Sequence, residues 1–115
     1  MFKDKFITVL MQNSPIPNRN GYFIINTDCI GGGGLHWMCF IKLNKNIYVY
    51  DSFGRQSKNM LPLFTKKVTD QGYTIHNTDT SDADQHGYTS VDCGHRCIAS
   101  LMVYHKLGLK AYMSL

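Results

Sequence analysis

The run Leu35-His36-Trp37-Met38-Cys39-Phe40-Ile41-Lys42-Leu43, the spacer Asn44-Lys45-Asn46 and the run Ile47-Tyr48-Val49-Tyr50-Asp51 decide the fold. Both runs are rich in β-branched and aromatic side chains, and the spacer is turn material, so the pattern predicts a β-hairpin. Neither run alternates cleanly between apolar and polar residues, which is how strands buried on both faces read. With the turn centred between Asn44 and Lys45, position 36 faces 53, 38 faces 51 and 40 faces 49. Side chains alternate with period two, so His36, Met38 and Phe40 then share a face with Val49, Asp51 and Phe53. His36 and Asp51 become diagonal neighbours, within about 7–8 Å of each other. A slip of one residue would put them on opposite faces.

Working outward, Tyr22-Phe23-Ile24-Ile25-Asn26 reads as another strand, preceded by turn residues from Asn13 to Gly21. Residues 1–12 fit a short helix or a strand equally. Gly31-Gly32-Gly33-Gly34 is a loop, Gln56 to Gln71 reads as one helix with Pro62 near its start, and Tyr73-Thr74-Ile75-His76 is a short strand. A polar loop follows from Asn77 to Ser90. The last ordered element is a helix from Asp92 to Leu107, with Asp92 as its N-cap, an apolar face at Ile98, Leu101, Met102 and His105, and Gly108 as its stop. Grouped strands with helices at one side predict an α+β fold, a small central mixed sheet packed against this helix. Residues 1–115 form a single domain.

Composition sets bounds on function. Hydrophobic residues at 43% and charged residues at 17% indicate a folded chain rather than a disordered one. No apolar run reaches the roughly 18–20 residues that span a bilayer, so no membrane partner is expected. The start, Met1-Phe2-Lys3-Asp4-Lys5, lacks the apolar core of a signal peptide, which points to a reducing compartment. There Cys29, Cys39, Cys93 and Cys97 are expected as thiols rather than bridges. Every acidic side chain is Asp, and a net charge of +4 permits weak attraction to nucleic acid without establishing it. Lys66-Lys67 is the one adjacent basic pair, and no aromatic-interleaved basic patch stands out.

The chemistry gathers at Val91-Asp92-Cys93-Gly94-His95-Arg96-Cys97. A helix start concentrates unpaired N–H groups and the positive end of the macrodipole. A thiol held there ionises more easily, and the thiolate is the form that attacks carbonyl carbon. His36 supplies a base, and a carboxylate at Asp51 would fix the imidazole tautomer and stabilise its protonated form. Cys93, His36 and Asp51 therefore read as a cysteine peptidase triad.

The blocks Asn26-Thr27, Gly33-Gly34-Leu35-His36-Trp37-Met38-Cys39-Phe40, Tyr50-Asp51-Ser52-Phe53-Gly54, Gln85 and Asp92-Cys93-Gly94-His95-Arg96-Cys97 come in the order His, Asp, Gln, Cys. Over about residues 22–105 the chain resembles the adenain family of viral maturation proteases, and more distantly the ubiquitin-like-protein proteases. The resemblance implies a papain-like, adenain-like fold with Cys93 as nucleophile, His36 as general base and Asp51 as its orienting partner. It further implies that Gln85 and the backbone N–H of Cys93 form the oxyanion hole. Cleavage is then expected beside small residues, commonly Gly, in a narrow groove near Gly33, Gly34 and Trp37. The implied substrates are viral capsid or core precursor polypeptides, in the virion or the infected cell, with no cofactor and no metal. The family is assisted by DNA and by a disulfide-linked peptide, so both are candidate activators; no cysteine stands between Cys39 and Cys93 to receive the peptide. Gln85 lies eight residues before Cys93, a longer gap than the family usually shows, and Asp51 stands where adenain has a glutamate.

Blander readings stand beside these. Cys93 alone would be a packed thiol, His36 a core histidine and Asp51 a strand-end turn former. Cys93, His95 and Cys97 do not complete a zinc set. Gly31–Gly34 lacks the Gly-Lys-Ser/Thr of a phosphate loop and serves as slack or as room for a substrate backbone. The same triad would also serve an isopeptidase acting on a ubiquitin-like modifier, or an acyltransferase; a catalytically silent binding module is the remaining alternative.

Overall fold

A computed structural model describes residues 7–27, 36–51, 57–78 and 93–115, and of Cys93 and Gly94 the backbone alone. These residues hold one mixed sheet whose strands lie side by side in chain order: β1 (Ile7–Met11), β2 (Gly21–Asn26), β3 (Trp37–Leu43), β4 (Asn46–Tyr50) and β5 (Thr74–Asn77). β2, β3 and β4 run antiparallel, while β1 and β5 add in parallel at the two edges. Four helices accompany them among the described residues: α1 (Ser57–Met60), α2 (Pro62–Asp70), α3 (Cys93–Leu107) and α4 (Leu109–Met113). The chain is an α+β domain.

The hairpin forms in the expected register. Cys39 stands opposite Tyr50, Phe40 opposite Val49 and Leu43 opposite Asn46. Asn44 takes a positive φ of 56° at the turn, a conformation asparagine tolerates better than most residues.

Period-two alternation then splits the core in two. On one face Phe23, Ile25, Met38, Phe40, Ile47 and Val49 pack with Leu61, Phe64 and Val68. On the other, Tyr22, Cys39, Ile41 and Tyr50 pack with Cys97 and Leu101 of α3 and with Tyr112 of α4. Helices therefore cover both faces, not the one side expected. Strands apolar on both faces need two covers, because each fully buried large side chain is worth about 1.5–3 kcal/mol only when water is excluded from it.

Three further expectations are corrected. The helix predicted over 56–71 is two helices, with Leu61 outside helical geometry at φ −131° and ψ 59°. Pro62 is the cause: it disfavours the α region for the residue before it and is well suited to open the next helix. The buried face of α3 runs through Cys97, Ser100 and Leu101, whereas Ile98 and Met102 are half-buried and His105 is exposed. Finally, α3 is not the last ordered element. Gly108, at φ 91°, ends it by donating its N–H to the Tyr104 carbonyl at 2.9 Å, and the chain turns into α4. The ambiguous N-terminal segment resolves, over residues 7–11, as a strand.

The β1-to-β2 connection is parallel yet spans only residues 12–20, with no helix. Gln12 makes it hold. Its side-chain amide donates to the Thr27 carbonyl at 2.6 Å, and its Oε1 accepts the Leu63 N–H at 2.9 Å. That N–H is one of the unpaired donors at the start of α2, so the side chain ties β1 and the end of β2 to a helix start.

Candidate active site

His36 directly precedes β3, and its carbonyl accepts the Thr27 N–H at 2.9 Å, extending the β2–β3 ladder by one more bond. Asp51 directly follows β4. The register puts both on the face shared by Met38, Phe40 and Val49, and there Nε2 of His36 donates to Oδ1 of Asp51 at 2.6 Å. The Asp51 side chain is 0% exposed and that of His36 12%. A carboxylate so buried requires a charged or hydrogen-bonded partner, which the imidazole provides. With Nε2 turned to Asp51, base chemistry toward a thiol belongs to Nδ1.

The surroundings pin this end of the sheet. Thr78 donates its N–H to the Val49 carbonyl at 2.9 Å, continuing the β4–β5 ladder beside Asp51. Asn77 accepts the Ser57 N–H on its Oδ1 at 3.0 Å, fastening the start of α1 to the end of β5. Asn77, expected to open a polar loop, is instead the last residue of β5, and a lone Asn at a strand end offers no signal in sequence that it will meet a helix start.

The direction of α3 follows from its contacts. The Cys97 thiol donates to the Trp37 carbonyl at 3.4 Å, and Ser100 Oγ lies 3.1 Å from Cys39 Sγ. Further on, His105 Nδ1 lies 3.3 Å from the Tyr22 hydroxyl, and Tyr22 stands opposite Ile41. The helix thus runs alongside β3 in the same sense. Cys93 heads α3 one turn before Cys97, about 6 Å back along the axis, toward the end of β3 where His36 lies. The separation of the His36 ring from the Cys93 thiol lies outside the described residues, as do Gln85, Gly33, Gly34, Cys29 and the Asp92 cap. Trp37 is half-buried and packs against the α3 face of the sheet.

Cys39 and Cys97 are 0% exposed and not joined in a disulfide. Tyr112 is enclosed beside them and donates its hydroxyl to the Tyr48 carbonyl at 3.0 Å. Burial, with the Cys39 thiol as a further contributor, pushes its phenol well above the usual range. Burial and the neighbouring Tyr104 also raise Tyr22. Among the described residues no cluster of three His, Cys, Asp or Glu could hold a metal, and no helix is long and apolar enough to cross a membrane.

The chain matches no model of a known protein family, and it matches no curated protein sequence.

Proposed function

We propose that the protein is a cysteine endopeptidase of the adenain type. The observation that carries the reading is the 2.6 Å bond between His36 and the buried Asp51, at the sheet end toward which α3 begins with Cys93. Support comes also from the sequence blocks around these residues.

In the proposed reaction His36 holds the proton of the Cys93 thiol, and the thiolate attacks the scissile carbonyl carbon. The oxyanion is stabilised by the Cys93 N–H and the Gln85 amide. Collapse breaks the C–N bond, the leaving amine takes the proton from His36, and a thioester remains on Cys93. Water, deprotonated by His36, attacks the thioester and releases the new carboxylate. Asp51 holds the imidazole orientation and stabilises its cationic form. Substrates are viral precursor polypeptides cut beside Gly, in the virion or infected cell, with DNA or a peptide as candidate activators.

The test is cleavage of Gly-containing peptides and of capsid precursors by the wild type and by Cys93→Ala, with circular dichroism to verify folding. Loss on the order of 10⁴-fold or more in a folded variant is expected. Unchanged cleavage removes the nucleophile. Preference for a ubiquitin-like conjugate would replace the maturation role with isopeptidase activity, and dependence on an acyl-coenzyme A would replace hydrolysis with transfer.

A further inference from the structure

The described β3–β4 ladder stops at Cys39 opposite Tyr50, three positions after His36. The β2–β3 ladder reaches further, and its last rung is the Thr27 N–H donated to the His36 carbonyl at 2.9 Å. Thr27 itself lies one step past the end of β2. The main chain of the proposed base is therefore placed by a residue that needs a hold of its own.

Gln12 supplies that hold. The β1–β2 ladder ends at Met11 opposite Asn26, and the backbone of Met11 turns to Ser14 instead: its N–H donates to Ser14 Oγ at 2.9 Å, and its carbonyl accepts the Ser14 N–H at 3.0 Å. Where the ladder stops, the Gln12 side chain takes over. Only 6% exposed, it donates from Nε2 to the Thr27 carbonyl at 2.6 Å and accepts the Leu63 N–H on Oε1 at 2.9 Å. The two bonds need the two unlike ends of one carboxamide, a donor for a carbonyl and an acceptor for an N–H. Leu61, at the N-cap of α2, has no polar side chain to offer, so this helix start is capped from beyond β1. α2 is in turn fixed by Phe64 and Val68, both 0% exposed in the core. A relay of three hydrogen bonds thus runs from a packed helix through Gln12 and Thr27 to His36.

We propose that Gln12 is a positioning residue for His36, holding the imidazole against Asp51 through this relay. The role deepens the peptidase function proposed above and rests on it. Without the Gln12 donor the Thr27 carbonyl is released, the last rung of the ladder shifts and the imidazole moves with it. A displacement of about 1 Å at a reacting group costs on the order of 10²-fold in rate. Because Gln12 acts through the base, the loss falls on kcat rather than on KM.

The test compares wild type with Gln12→Met, which removes both bonds, and Gln12→Glu, which keeps the acceptor for the Leu63 N–H and loses only the donor to Thr27. Tyr112→Phe is the control, since it gives up a hydrogen bond to the Tyr48 carbonyl on α4. Cleavage kinetics on a Gly-containing peptide, urea midpoints and the NMR signal of the His36 Nε2 proton bonded to Asp51 are recorded for each. Expected in both Gln12 variants are a kcat about 10–100-fold below wild type, a KM within about twofold and a broadened or lost ring proton. Tyr112→Phe lowers the urea midpoint and keeps both kcat and the ring proton. Unchanged kcat and ring proton in the Gln12 variants overturn the proposal, as does a fall in kcat that Tyr112→Phe reproduces. Failure of both variants to fold assigns Gln12 to stability alone and overturns it too. Absence of cleavage by wild type removes the peptidase function, while the ring proton still decides whether Gln12 holds His36.

Discussion

Trp37 accepts the Cys97 thiol on its carbonyl oxygen at 3.4 Å, and through this contact the first turns of α3 are fixed to the end of β3 that follows His36. A helix start and a histidine far apart in sequence are thereby brought to one end of the sheet. The polypeptide achieves this with one thiol on the buried face of the helix and one peptide carbonyl at the strand's first residue.

Replacing Asp51 by Asn keeps the shape of the side chain but removes its charge and its fixed acceptor role. Peptide hydrolysis should fall by on the order of 10²–10⁴-fold, as when the carboxylate of a triad is neutralised. Kinetics on a Gly-containing peptide, with a denaturation curve alongside, reads this. A variant retaining most of its activity would show that His36 works without Asp51.

The buried thiols should separate from the proposed nucleophile by reactivity. Cys39 and Cys97 are 0% exposed, so alkylation near neutral pH should leave both intact until the chain unfolds. Under the proposed function Cys93 is modified first and activity is lost in step. Mass mapping of alkylated fragments decides it; rapid native labelling of Cys39 would contradict the packing of α3 on β3.

Neighbouring residues on α2 should behave in opposite ways. Phe64 is 0% exposed and lies tilted against Phe40 at 5.0 Å between ring centroids, so Phe64→Ala should cost about 3–5 kcal/mol of stability. Leu63 is 51% exposed, and Leu63→Ala should change stability by about 0.5 kcal/mol or less. Urea midpoints of the two variants give the comparison.

Tyr112 predicts a loss of stability in alkali. Its phenol is raised in the folded protein, so between about pH 10 and that higher value the native state holds a proton the unfolded chain has shed. Stability is complete below about pH 10 and falls as pH rises beyond it. Tyr112→Phe should flatten this decline while costing about 1 kcal/mol at neutral pH, because the hydrogen bond to the Tyr48 carbonyl is lost. An unchanged alkaline slope in the variant would assign the effect elsewhere, Tyr22 being the next such phenol.

The hairpin was legible because two strong local signals agreed: an Asn-rich spacer and apolar runs with a single register that keeps Met38, Phe40 and Val49 together. The His36–Asp51 bond followed from that register alone. The break at Leu61 was also written in the chain, since Pro62 biases the residue before it, but the apolar spacing of Leu61, Phe64 and Val68 masked it. The second layer of helices was readable in principle from strands apolar on both faces. α4 was not, because five residues with little polarity contrast carry no periodic signal.

Gln12 carries a consequence for engineering the molecule. The residue just after the outermost strand also completes the hydrogen bonding of Leu63, 51 positions downstream, and of Thr27, just past the adjoining strand. That strand is therefore not an interchangeable border piece. A grafted or circularly permuted version must deliver a primary amide to the same junction, or two distant backbone groups go unsatisfied at once.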